Sequence, residues 1–169
     1  MFVRINTIYG DKDKIDEAID YIEESDRPVV EASAGNGGLA TFVDRVGGLI
    51  VAASYWDEPL HSSEAALTRA REGASAIANG NLTTESYEIV ADAEMAAPPP
   101  GAAVRMTRMQ IELAGIEGMI AFVRDEFLPR VTTFGGLCSA QLLLDRSSGE
   151  CVIMSVWADD HSAEKACGA

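Results

Sequence analysis

DRVGGLIVAASYW at residues 44–56 and DRSSGECVIMSVW at residues 145–157 are one element written twice. Each opens on Asp-Arg, turns through a glycine, runs through an apolar strand and ends in Ser-x-Trp. The copies stand 101 residues apart. At that offset, and with no gap, Val3 matches Val104, Arg4 matches Arg105, Ile15 matches Ile116 and Pro28 matches Pro129. Gly48/Gly149, Ser54/Ser155 and Trp56/Trp157 continue the series. A constant offset across strands, helices and turns is the mark of an internal duplication.

Working outward, FVRINTIY at residues 2–9 is β-branched and aromatic with polar residues interleaved, which predicts a strand. Val3, Ile5, Thr7 and Tyr9 share one face; Phe2, Arg4, Asn6 and Ile8 share the other. In the next segment Ile15, Ala18, Ile19 and Ile22 form one helical stripe, with Asp11 or Asp13 as the cap and Pro28 as the stop. Residues 38–44 and 49–56 then form a hairpin across Asp44–Gly48. A second helix is expected over 61–79, with Leu67, Ala70, Ala74 and Ile77 as its stripe, Ser62 or Ser63 as its cap and Gly80 as its stop. Residues 85–90 supply a fourth strand. Residues 1–90 therefore predict a βαββαβ, ferredoxin-like module. Residues 91–102, with three prolines, read as a stiff linker, and residues 103–169 repeat the module without most of its second helix and fourth strand. A sheet edge left open that way is a pairing hazard, and homodimerisation through the incomplete second module is the economical solution.

Composition narrows the partners. The net charge is −14, from 27 acidic and 13 basic side chains, and no basic stripe exists. Such a chain repels nucleic acid and anionic membranes. No apolar run approaches the roughly 20 residues of a membrane span, and the N-terminus lacks the pattern of a secretory signal, so a cytoplasmic location is expected. The acidic face Asp16, Glu17, Asp20, Glu23 and Glu24 reads as a solvated helix surface, and no metal site is expected. The loop ASAGNGGLA lacks the strand–loop–helix setting and the Gly-Lys-Ser/Thr of a phosphate cradle, so it reads as a turn. The cysteines, Cys138, Cys151 and Cys167, are odd in number with no C-x-x-C spacing. In the second hairpin Leu144 should lie opposite Cys151, which keeps Cys138 and Cys151 apart as free thiols.

A βαββαβ unit whose third strand ends in Ser54-Tyr55-Trp56, followed by Ser63-Glu64-Ala65-Ala66, resembles the antibiotic biosynthesis monooxygenase-like superfamily of dimeric α+β barrels. Ser155-Val156-Trp157 and Ser162-Ala163-Glu164 repeat the resemblance in the second module. It implies an α+β fold in which two tandem ferredoxin-like modules, the second truncated, form a pseudo-dimer of the barrel type. It also implies activities such as cofactor-free oxidation of polycyclic aromatics, haem degradation, or small isomerase and decarboxylase reactions.

Haem degradation is disfavoured. Asn6 is placed like the ligand-facing asparagine of the haem-degrading members. The second helix, LTRAREGASAIAN, lacks their histidine and tryptophan. What remains is binding, with cofactor-independent oxidation, of a small hydrophobic or aromatic molecule; no cofactor is expected. Asn6 and His61 are the candidate catalytic residues, and Arg4, Tyr9, Tyr55 and Trp56 the candidate substrate contacts. Asn6, Tyr9 and Tyr55 differ from their counterparts Thr107, Gln110 and Val156, so a site kept by one copy belongs to the first. The repeated Asp-Arg and Ser-x-Trp read as scaffold. The competing reading is a non-catalytic ligand-sensing or assembly module.

Overall fold

The computed structural model describes residues 1–59 and 65–166, and these divide into two compact units, Met1–Ser86 and Tyr87–Ala169. Unit 1 begins with β1 (Phe2–Tyr9), followed by α1 (Ile15–Tyr21), α2 (Arg27–Glu31), β2 (Asn36–Asp44), β3 (Leu49–Trp56) and α3 (Ala65–Ile77). The strand β4 (Asn81–Glu94) runs across the division. In unit 1 the strand order is β2-β3-β1-β4, the ferredoxin-like order expected from the repeat. β1 pairs antiparallel with β3, Arg4 opposite Ser54 and Asn6 opposite Ala52.

Unit 2 has the later part of β4, then β5 (Ala103–Gln110), α4 (Ile116–Phe122), α5 (Leu128–Val131), β6 (Leu137–Leu144), β7 (Glu150–Trp157) and α6 (Asp160–Lys165). Its order is β4-β6-β7-β5. The duplication extends to backbone irregularities. The bulge between Asn36 and Gly38 recurs between Leu137 and Ser139, and Gly48 and Gly149 both adopt positive φ, 71° and 79°. Leu144 lies opposite Cys151, as the hairpin register required, and Cys138 and Cys151 are buried free thiols.

Three expectations are revised. Pro28 does not end the first helix. The chain widens into a π turn over Ile22–Asp26, and α2 follows with Pro28 in its first turn. A proline in a continuous α-helix would lose one hydrogen bond and drive its ring against the carbonyl four residues back. The wider turn takes up that misfit, and at a first-turn position the missing N–H costs nothing. Unit 2 repeats the device over Val123–Phe127, before Pro129. Asp11 does occupy the cap position ahead of the first helical turn, but its side chain makes no capping hydrogen bond; it accepts one from Asn79 at 2.9 Å instead. Finally, β4 runs four residues into the stretch read as linker. Residues 88–94 pair with β6, so unit 2 does have a strand outside that hairpin. The hydrophobic periodicity of 85–90 marked the strand, but not its continuation through Ala91 and Ala93. The expected caps Ser62 and Ser63 lie outside the described residues.

The helices of unit 1 cover one face of its sheet. Ile15, Ala18 and Ile22 from the first helix and Ala74 and Ala78 from the second meet Ile8 and Ile50 from the strands, each at most 3% exposed. Unit 2 builds the matching cluster from Ile116, Ile120, Val123, Leu142 and Leu144.

The repeated hairpin is secured by its own residues. The Asp44 carboxylate accepts from the backbone N–H groups of Val46 and Gly47 at 2.9 Å, and Asp145 accepts from Ser147 N–H at 2.8 Å. The adjacent arginines tie each turn to its own first helix: Arg45 to Asp16 at 2.8 Å and Arg146 to Glu117 at 2.9 Å. Asp16 and Glu117 also stand 101 residues apart, so the pair is part of the duplicated module.

Candidate functional site

The period-two alternation of a strand sends Arg4, Asn6 and Ile8 of β1 to the helix-covered face, with Ala52, Ser54 and Trp56 of β3 beside them. These six residues form one wall of a cavity in unit 1 that holds about 510 Å³ of empty space, its open mouth included. The helices supply the other wall, chiefly Ile22, Asp26 and Val30 from the first helical segment and Leu67 and Arg71 from α3. The cavity has mostly hydrocarbon walls with a few polar groups turned into it, the usual make-up of a small-molecule site.

Asp26 is the unexpected member. It ends the π turn, is 6% exposed, and makes no hydrogen bond or ion pair with any described residue. Burial pushes its carboxyl up to about 7, because an ionised carboxylate there has lost most of its water. Single-turn π widenings are frequent at functional sites. This one places a carboxyl four residues beyond Ile22, where the apolar stripe would otherwise continue.

The other polar groups are fixed. Arg4 is 7% exposed, and its Nε lies 3.5 Å from Ser86 Oγ. Asn6 Oδ1 accepts from Thr84 Oγ1 at 2.9 Å, which sets the carboxamide rotamer. Trp56 Nε1 donates to Ser54 Oγ at 2.9 Å, so the indole presents its apolar surface while its N–H is satisfied. Trp157 and Ser155 make the same 2.9 Å bond in unit 2. The Ser-x-Trp pair is therefore an internally bonded scaffold in both units, and in unit 1 the tryptophan also faces the cavity. Arg71, half-buried on α3, donates from Nη2 to Thr68 Oγ1 at 3.2 Å.

Of the residues singled out from the sequence, Arg4, Asn6 and Trp56 converge on this cavity. Tyr9 and Tyr55 do not line it. Tyr9 ends β1, 58% exposed, on the face shared with Val3 and Ile5, and Tyr55 alternates away from Ser54 and Trp56. His61 lies outside the described residues. Asp26, Arg71 and Ala52 were missed. The signal for Asp26 was present in the repeat itself: at the offset of 101 it faces Phe127, and Ala52 faces Ile153. Phe127 and Ile153 both pack against the apolar core of unit 2. Among the described residues no group of three or more His, Cys, Asp or Glu side chains could hold a metal ion, and no helix is long and apolar enough to cross a membrane.

Comparison with known proteins agrees with this architecture. No family model matches the chain. The uncharacterized protein Rv2557 of Mycobacterium tuberculosis H37Rv is 29% identical over 154 residues, covering 90% of this chain and 69% of that protein. Rv2558 of the same strain is 25% identical over 147 residues, covering 86% and 62%. Among solved structures, a candidate monooxygenase of Fusobacterium nucleatum superposes with a TM-score of 0.71 at 15% identity, over 99% of this chain and 80% of that one. One from Lactobacillus acidophilus NCFM gives 0.70 at 13% identity, over 96% and 79%. A ferredoxin-fold protein of Listeria monocytogenes related to antibiotic biosynthesis monooxygenases gives 0.58 at 10% identity, over 98% and 77%. In fold, this chain is similar to ferredoxin-fold proteins related to antibiotic biosynthesis monooxygenases, with two ferredoxin-like units.

Proposed function

We propose that unit 1 binds a small, largely apolar or aromatic molecule in this cavity and oxidises it without a bound cofactor, with Asp26 as the proton acceptor. The observation that carries the reading is a carboxyl, 6% exposed and without a partner among the described residues, in a mostly apolar cavity. A base whose pKa lies near 7 is matched to proton transfer at neutral pH. Removing a proton from an activated ring methylene leaves a carbanion, which dioxygen oxidises. One oxygen atom ends as the ring ketone and the other leaves as water, taking both methylene protons. Asn6 and Arg4 line the cavity and carry N–H donors that would suit a developing enolate oxygen, and Trp56 offers a flat wall for the ring. The monooxygenase-like neighbours of the fold support the same chemistry.

The test is oxygen uptake with anthrone as reporter substrate. The wild-type chain should consume oxygen above the buffer rate. Asp26→Asn should return to that rate while still binding anthrone. Uptake unchanged in Asp26→Asn, or absent in the wild type, refutes the oxidation reading.

Self-association is proposed through β5, the outermost strand of unit 2, whose free edge offers backbone groups for pairing. A monomer at micromolar concentration by light scattering would refute it.

A further inference from the structure

The positive groups in the cavity set a demand that an apolar ligand alone does not meet. Arg71 reaches the cavity from α3 and is half-buried there. Among the described residues no carboxylate lies within ion-pair distance of it, and Thr68 Oγ1 takes one of its five N–H donors. The carboxyl that shares the cavity, Asp26, is not paired with it and stays protonated through the acid range. Arg4 adds a second guanidinium to the lining.

The surroundings sharpen the contrast. The chain carries −14 overall, and four of its arginines answer a carboxylate on the surface: Arg27 to Glu23, Arg45 to Asp16, Arg124 to Asp125, Arg146 to Glu88. In so acidic a chain, a guanidinium kept at the edge of an apolar cavity without a carboxylate partner among the described residues stands out. A planar guanidinium binds a carboxylate or sulfonate through two parallel hydrogen bonds, and such pairs strengthen where water is scarce.

We propose that the cavity of unit 1 takes a monoanionic amphipathic molecule, an apolar ring body bearing one carboxylate-type group, with the anion on Arg71 and the rings against Trp56, Ile22 and Val30. This rests on the reading of the cavity as the ligand site. It deepens that reading by fixing the ligand's charge and the end at which the charge lies.

Two fluorescent probes of one ring skeleton make the test: 1-anilinonaphthalene-8-sulfonate and uncharged N-phenyl-1-naphthylamine. Both are titrated into the full chain, its Arg71→Met variant and its Ala52→Ile variant. The sulfonate should bind the wild type at least tenfold more tightly than the neutral probe. Arg71→Met should bring the ratio to near one while leaving the neutral probe's affinity unchanged. Ala52→Ile, which fills the cavity floor, should weaken both. If the neutral probe binds as tightly as the sulfonate in the wild type, the anionic ligand class is wrong and the cavity reading stands. If the preference survives in Arg71→Met, the assignment to that residue is wrong. If neither probe binds, or Ala52→Ile leaves both unchanged, the cavity reading falls as well.

Discussion

Asp26 and Phe127 occupy the same position in the two π turns, 101 residues apart, and they do opposite things. Phe127 packs against the core of unit 2, and Asp26 puts a carboxyl into a cavity of unit 1. One copy has kept the position as packing; the other carries a group that burial penalises.

That penalty gives the first prediction. The Asp26 carboxyl is raised from 3.8 to about 7 in the folded chain. Below pH 3.8 it is protonated in both folded and unfolded states and has no effect on stability. Between 3.8 and about 7 the folded state holds a proton that the unfolded state has released, so stability falls as pH rises. Above 7 both states are ionised and the full cost is present, on the order of 4 kcal/mol from the shift at about 1.4 kcal/mol per pKa unit. Asn is neutral and nearly the same shape. Asp26→Asn should therefore match the wild type near pH 4 and be more stable by roughly 2–4 kcal/mol at pH 8. Urea denaturation at the two pH values reads the difference; equal stability at both would mean the carboxyl is well solvated.

The cavity floor gives the second. Ala52 lines the cavity where unit 2 has Ile153 packed into its core. Ala52→Ile supplies the missing volume from a strand position that already accepts isoleucine in the sister unit. Overpacking typically costs about 1–3 kcal/mol, but here the added atoms enter empty space. Thermal stability should change by less than about 1 kcal/mol, while affinity for a naphthalene-sized probe falls at least tenfold. A variant that melts normally and binds normally would place the ligand elsewhere.

The repeat made much of this fold readable. Asp44-Arg45 and Ser54-x-Trp56 return as Asp145-Arg146 and Ser155-x-Trp157 because the turn and the indole each satisfy their polar groups inside the module. A motif closed on itself needs no other part of the chain to be interpreted. Pro28 was misread because its usual meaning, a helix stop, assumes α geometry on both sides; the π turn removes that premise and leaves no mark in residue type. Asp26 was overlooked for a related reason. It lies among Glu23, Glu24 and Glu31, in a segment that reads as an acidic solvent face, although it stands four residues after Ile22, in line with the apolar stripe. The comparison of copies would have found it, since a carboxyl opposite a phenylalanine is the largest change of polarity in that turn. The cavity was out of reach because its size depends on Ala52, Ala70 and Ala74, whose small side chains look like ordinary packing until the two walls are seen together.

The hairpin glycine gives a third prediction. Gly48 has φ 71°, and a Cβ there would point at the backbone carbonyl of Gly10. Gly149 repeats the conformation at 79°, against the carbonyl of Ile111. Each glycine carbonyl also accepts the N–H of the residue it faces, Gly10 at 2.9 Å and Ile111 at 3.0 Å. Alanine meets two penalties, the left-handed backbone and the collision with a carbonyl that cannot move without breaking that bond. Gly48→Ala and Gly149→Ala should each cost about 2–4 kcal/mol, with amide exchange accelerated at Gly10 and Ile111 respectively. A loss under 0.5 kcal/mol would mean the turn relaxes into another type.

The buried indole bonds give the last. Trp56 and Trp157 are 3% and 2% exposed, and among the described residues each N–H donates to the serine two residues before it, at 2.9 Å. Replacing that serine by alanine removes the acceptor and leaves a donor sealed from water, which costs about 1–3 kcal/mol. The two sites differ in one respect. Trp56 borders the cavity, where a water entering from the mouth can accept the orphaned N–H. Trp157 packs within the core of unit 2. Ser155→Ala should therefore destabilise more than Ser54→Ala, by about 1 kcal/mol. Chemical denaturation followed by tryptophan fluorescence reads both variants. Equal losses would indicate that the cavity of unit 1 is dry beside the indole, and a larger loss for Ser54→Ala would show that Trp56 is the more tightly sealed of the two.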